Sequence, residues 1–148
     1  MPTRTVVVRS TEHPFQQRVE AGPHGFDVDE PIADGGGEAG PNPYDLLLAA
    51  LGTCTSMTLK MYARRRGLPL ESVAVALSHE RLHVEDCAEC EGGKRRVERI
   101  DRRIALTGAL DDAQRAKLMA IADKCPVHQT LTARMEIHTT LETGELVQ

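Results

Sequence analysis

The sequence predicts an α+β fold, an antiparallel sheet packed with two helices. Three features carry that expectation. The N-terminal part holds short β-prone runs set apart by turn residues. A long apolar segment then opens at Asn42-Pro43 with the signals of a helix start. Two strand-period segments follow, and behind them lies a second amphipathic helix. The resulting order is βββ-α-ββ-α-β, and 148 residues suit a single domain, 1–148, with a buried core.

Thr5-Val6-Val7-Val8-Arg9 and Phe15 to Glu20 are β-prone, punctuated by His13-Pro14 and Gly22-Pro23. Gly25 to Asp29 completes a small meander. Pro31 to Pro41, PIADGGGEAGP, is expected to be a mobile loop that holds no regular element. In the helix that follows, Asn42 suits the N-cap, Pro43 the first helical position, and Asp45 the positive helix terminus. From Tyr44 to Leu51 almost every residue is apolar, as in a helix buried all round. Arg64-Arg65-Arg66 favour its C-terminal dipole, and Gly67 and Pro69 stop it. From Pro43 to Arg66 it spans about 36 Å.

Val73, Val75 and Leu77 then alternate with small and polar residues, the period of a half-buried strand. A turn-like insert, Glu85 to Gly93, leads to a second strand from about Arg95 to Thr107, with Ile100, Ile104 and Leu106 in phase. GALDDAQRAKLMAIADKC reads as the second helix, ending where Pro126 forbids smooth continuation. A short turn and a last strand, Met135 to Leu141, are expected to close the chain.

Bulk properties exclude several functions. With 41% hydrophobic and 27% charged residues the composition is that of a globular protein. A net charge of −4 gives no pull toward nucleic acid or anionic membrane. At 3% aromatics and no Trp there is no base-stacking platform. No secretory h-region opens the chain, and no run approaches the ~18 apolar residues of a membrane helix. A cytoplasmic protein is expected, and there four cysteines point to redox chemistry or metal more than to structural disulfides.

Cys54 lies mid-helix and Cys125 at the boundary before Pro126. Cys125 is placed to cap the turn that Pro126 begins, and His128 follows three residues on. Read from its neighbours alone, Cys54 is either core filling or a nucleophile, and burial statistics for free cysteine favour filling.

GPNPYDLLLAALGTCTSM (residues 40–57) together with ADKCPVH (residues 122–128) closely resembles the OsmC/Ohr family of thiol-dependent peroxidases. The resemblance covers most of the chain, from the Gly35-Gly36-Gly37 loop to the expected final strand. The variant HERLHVEDCAEC resembles the subgroup also found fused behind α/β-hydrolase domains. This resemblance implies an OsmC-like fold, with antiparallel sheets around two central helices in an intertwined homodimer. It implies that Cys54 is the peroxidatic cysteine, oxidised by a peroxide to a sulfenic acid, and that Cys125 resolves it to a disulfide. An external dithiol reduces that disulfide, and no cofactor is required. In the hydroperoxide-resistance branch a Glu directly follows Asn-Pro and pairs with an N-terminal Arg. Here Tyr44 holds that position, with Asp45 one step of ~100° further round the helix. Asp45 and Arg18 are the candidates for those two roles. The helix YDLLLAALGTC has too little polar surface to face water, which also favours a homodimer.

Cys87-x-x-Cys90, preceded by His79 and His83, has the count of a zinc site, so zinc is a candidate metal at Cys87 and Cys90. On a strand, however, residues four apart are ~13 Å from one another, too far for one tetrahedral ion. An accessory dithiol and an incidental solvent-side turn are the other readings, and the last is favoured. Lys94, Arg95, Arg96, Arg99, Arg102 and Arg103 interleave with Glu98 and Asp101, which reads as a solvated strand face. A non-enzymatic protein, either a small-ligand binder or a zinc-stabilised module, is the competing class.

Overall fold

The protein is described here by a computed structural model covering residues 4–84 and 95–147. Among these residues the order is β1 (Val6–Ser10), β2 (Gln17–Ala21), β3 (His24–Val28), α1 (Pro43–Arg66), β4 (Leu70–Val84), β5 (Arg95–Gly108), α2 (Asp112–Ala122) and α3 (Pro126–Thr132). The fold is α+β with antiparallel sheets, as expected. The chain divides into two compact units, Met1–Leu47 with Glu136–Gln148, and Leu48–Met135.

In the first unit β1, β2 and β3 form an antiparallel meander, with Val8 opposite Val19 and Val19 opposite Phe26. Val19 and Val28 are buried on one face and Val7 on the other. The glycine-rich stretch after β3 corrects the expectation of a mobile loop without regular structure. It contains a 3-10 turn, Ile32–Asp34, and is fastened by Asp29. The Asp29 carboxylate accepts N–H bonds from Glu30 (2.8 Å), Gly37 (3.0 Å) and Ala39 (3.2 Å). Glycine is required where the chain folds back, because a Cβ on Gly36 would lie 2.0 Å from the Glu30 carbonyl oxygen. One carboxylate with three backbone donors thus replaces the missing ladder.

Helix α1 begins as its sequence indicates. The Asp45 N–H donates to Asn42 Oδ1 at 2.8 Å, and the Asn42 N–H donates back to Asp45 Oδ2 at 3.0 Å. Within the chain α1 is not buried all round. Leu51, Thr55, Leu59 and Ala63, four residues apart, form one buried stripe, while Tyr44, Met57 and Met61 stay exposed. The helix also corrects the expectation that no stretch reaches membrane-spanning character. An 18-residue window of this 24-residue helix has a mean hydropathy of 1.2, so by length and composition it is long and apolar enough to cross a membrane. Core helices pass the same test. Looking for an unbroken apolar run misses this, because Thr and Ser interrupt the run without lowering the average far.

In the second unit β4 and β5 pair as a long antiparallel hairpin, with Val75 opposite Ile104 and Leu77 opposite Arg102. Residues of α1 approach β4 closely at Gly52, where a Cβ would meet Leu77 Cδ1 at 2.7 Å. Leu59 and Ala63 of α1 pack with Leu118, Ile121 and Ala122 of α2, and Val73, Ile104 and Leu106 of the hairpin close the cluster. Helix α2 starts on a capping box between Asp111 and Gln114.

Two further expectations are corrected. The turn after Cys125 is a helix, α3, since Pro126 at its first position needs no N–H partner. The expected strand Met135 to Leu141 forms no ladder among the described residues, and Ile137 and Leu141 are exposed. Its alternation is that of a strand, but a strand exists only where another pairs with it. The insert from Glu85 to Gly93 lies outside the described residues.

Burial raises the Asp29 pKa, but the N–H bonds of Ala39, Glu30 and Gly37 outweigh it and hold the carboxyl below its ordinary range. The unfolded chain therefore takes up this proton more readily, so the stabilisation is fully present above the unfolded pKa and lost as pH falls through the folded one. Asp29→Asn is expected to lower Tm at pH 7, and the gap from the native protein should close below about pH 4. Thermal melts across that range test this, and a gap independent of pH would count against the charged anchor.

Candidate functional site

Helix α1 and the α2–α3 junction each deliver one thiol. On α1, Thr55 belongs to the buried stripe, so Cys54, one step round the helix, sits at its edge and is only partly buried. At the junction, α2 ends at Ala122 and Pro126 starts α3, leaving Cys125 as the α3 N-cap. Its side chain is fully buried, at 0% exposure. Its sulfur accepts the His128 N–H at 3.5 Å, as an N-cap oxygen would.

The two thiols lie close enough for each to shift the other's acidity. Cys54 also interacts with the Val127 N–H and the Thr58 hydroxyl. Cys125 accepts the N–H of His128, and the Val127 N–H and the Thr55 hydroxyl lie close enough to favour its charged form. All these partners belong to the second unit. For Cys54, burial comes first and, together with Cys125, pushes the thiol up. For Cys125, burial also pushes up, but the bonds from Cys54, His128, Thr55 and Val127 outweigh it and bring the thiol down. The pair therefore holds one proton mainly on Cys54 once Cys125 has ionised.

Arg102 stands beside this pair, which corrects its reading as part of a solvated strand face. Its side chain is 12% exposed. Nη1 donates to Thr55 Oγ1 at 2.9 Å, and Nη2 to Asp123 Oδ1 at 2.8 Å. A signal for this was present, since position 102 is in phase with Ile100, Ile104 and Leu106 on the inner face of β5. Leu51, Arg102, Met119, Asp123, His128 and Leu131 border a cavity of about 620 Å³.

Of the other candidates, Arg18 lies on β2 in the first unit, where it pairs with Asp27 at 3.1 Å. Asp45 serves the α1 cap. His79 Nε2 lies 2.6 Å from Glu98 Oε2. Cys87, Cys90 and the His83 side chain lie outside the described residues. Among the described residues no group of three or more His, Cys, Asp or Glu side chains is placed to hold a metal.

The family model described as OsmC-like protein matches residues 35–140, which include both thiols. The chain belongs to the OsmC-like protein family. Solved structures carry the same fold. An organic hydroperoxide resistance protein OsmC from Legionella pneumophila superposes with a TM-score of 0.65 at 19% identity, covering 89% of this chain and 90% of that one. An OsmC-like protein from Mycoplasma pneumoniae gives 0.67 at 14% identity, with coverage of 88% and 87%. An organic hydroperoxide resistance protein from Elizabethkingia anophelis, with thiocyanate bound, gives 0.65 at 15% identity and 92% coverage of each chain. No curated protein matches the sequence. At these identities the likeness carries the fold of the OsmC-like chain and not its activity.

The unequal thiols give a measurable order. With Cys87 and Cys90 replaced by Ser, the reduced OsmC-like protein should ionise in two steps, one below and one above the ordinary thiol range. Cys54→Ala should move the lower step up, because Cys54 is the largest influence holding Cys125 down. Ultraviolet thiolate absorbance against pH measures both steps. Two coincident steps at the ordinary value would refute the shared proton.

Proposed function

We propose that this OsmC-like protein is a thiol-dependent peroxidase that reduces organic hydroperoxides, in oxidative stress defence in the cytoplasm. The observation that carries the reading is a pair of neighbouring thiols, one partly exposed and one fully buried. Cys54, partly exposed, is the thiol a peroxide reaches first, and Cys125, fully buried, waits behind it. Cys54 passes its proton to the Cys125 thiolate and attacks the O–O bond. The alcohol leaves with a proton from solvent, and Cys54 becomes a sulfenic acid. Cys125 then displaces water from that sulfur and forms the disulfide, which an external dithiol reduces back to two thiols. The scheme uses no cofactor, and zinc at Cys87 and Cys90 has no part in it. Arg18 and Asp45 are proposed to complete the activation of Cys54 as the family's Arg and Glu do.

Cys54→Ser should abolish peroxide turnover, whereas Cys125→Ser should be oxidised once and then stall. Thiol titration after one equivalent of organic hydroperoxide should show two thiols consumed per native chain. Equal residual turnover in both variants would overturn the assignment, and a non-enzymatic ligand binder would consume none quickly.

A homodimer is part of the proposal. Met57 and Met61 leave one side of α1 exposed, and Ile137 and Leu141 stand on a strand-like segment without a ladder among the described residues. A second copy would cover the first and pair the second. Sedimentation should find dimers at micromolar concentration, and a stable folded monomer there would rule this part out.

A further inference from the structure

We propose that Arg102 is a positioning residue for the thiol pair, acting on Cys125 through the hydroxyl of Thr55. The inference rests on the proposed function only in taking Cys54 and Cys125 as the working pair. Arg102 sits on the inward register of β5 and ties together the two elements that carry the thiols. Nη1 reaches Thr55 Oγ1 at 2.9 Å, one residue beyond Cys54 on α1. The same nitrogen reaches the Ala122 carbonyl at 3.4 Å, and Nη2 reaches Asp123 Oδ1 at 2.8 Å, both just ahead of Cys125. A planar guanidinium has its donors in a fixed fork, so it sets the spacing of these groups. A flexible ammonium does not.

Thr55 converts that spacing into chemistry. Its side chain is fully buried, and its hydroxyl has one proton and two lone pairs. Arg102 donates to the oxygen. The proton has two acceptors in reach, the Leu51 carbonyl at 2.7 Å and the Cys125 sulfur. While Cys125 is a neutral thiol, the carbonyl of the preceding helical turn is the better acceptor. Once the sulfur is a thiolate, the charge-assisted bond is the stronger, and the hydroxyl turns to it. A hydroxyl already accepting from a cation is also a stronger donor. The charged and titratable groups around Cys125 are Cys54 from α1, Arg102 from β5, and Asp123 and His128 from the α2–α3 junction. Among the described residues, Arg102 is the cation whose bonds lead to the sulfur through a single intervening group.

The test uses the full chain with Cys54, Cys87 and Cys90 replaced by Ser, so that Cys125 is its only thiol. No peroxide is needed, so failure here is distinct from failure of the peroxidase reading. Thiolate absorbance is followed against pH in this reference and with Thr55→Val, Thr55→Ser, Arg102→Gln, or Thr55→Val combined with Arg102→Gln. Thr55→Val and Arg102→Gln should each raise the Cys125 midpoint by about one pH unit, a tenfold change in proton affinity. Thr55→Ser should stay at the reference value, because it keeps the hydroxyl. The double variant should shift no further than Thr55→Val alone, since the two groups act in series. An unmoved midpoint in folded Thr55→Val overturns the proposal. So do fully additive shifts, which would mean that Arg102 acts by charge alone. If Arg102→Gln fails to fold, Arg102→Lys takes its place, since it keeps the charge and loses the fork, and an unmoved midpoint there overturns the proposal.

Discussion

The break in the backbone at Cys125-Pro126 is the constraint on which the site depends. Proline has no N–H and its ring obstructs the preceding turn, so α2 cannot run on into α3. It stops at Ala122, and a new helix starts at Pro126 with its N–H groups unpaired within the helix. The residue between them must supply an acceptor, and the sulfur of Cys125 is that acceptor. Were the helix continuous, each residue would advance ~100° and the backbone donors would be spent on the helix itself. The break thus places Cys125 and frees the N–H groups that lower its pKa.

Helix α1 supplies the other half through its spacing. Leu51, Thr55, Leu59 and Ala63 repeat every four residues and hold one face against the second unit's core. Thr55 is the polar member of that stripe. Its hydroxyl is satisfied by Arg102 and by the Leu51 carbonyl, which is why a polar group can sit there at no net exposure. Cys54, one step aside, lies half in and half out of the core. Two thiols in contact but unequally exposed differ in both reach and acidity. Solvent meets one of them, and the other is held in the interior by N–H and O–H donors.

Electrostatics then separates the pair further. Two neighbouring thiols cannot both ionise easily, so whatever favours charge on one disfavours it on the other. The donors of Cys54, His128, Thr55 and Val127 around Cys125 settle the direction in its favour. Arg102 enters this balance from β5 through Thr55, and Asp123 offsets its charge on the solvent side. A buried cation at this point is stable because its donors meet a hydroxyl, a carbonyl and a carboxylate.

Local chemistry in the sequence determined the elements. Asn42, Pro43 and Asp45 mark the start of α1, the Val73-to-Leu77 alternation marks β4, and Pro126 marks the break. The pairing motif around Cys54 and Cys125 was legible as a family resemblance, and the OsmC-like family model bears the membership out. What lay beyond sequence were relations between distant residues. Arg102 looks like one charge among many in RRVERIDRR; its phase with Ile100 and Ile104 puts it on the inner face, and the packing of α1 and α2 on β5 decides what it meets there. Asp29 gives no hint that it will gather the N–H groups of a loop ten residues long. The alternation of Met135 to Leu141 has the period of a strand, yet it finds no ladder among the described residues. Periodicity and caps are local, set by a few dihedrals and their neighbours. Burial, pairing and the direction of a pKa shift depend on which groups meet through space, and only the tertiary structure decides that.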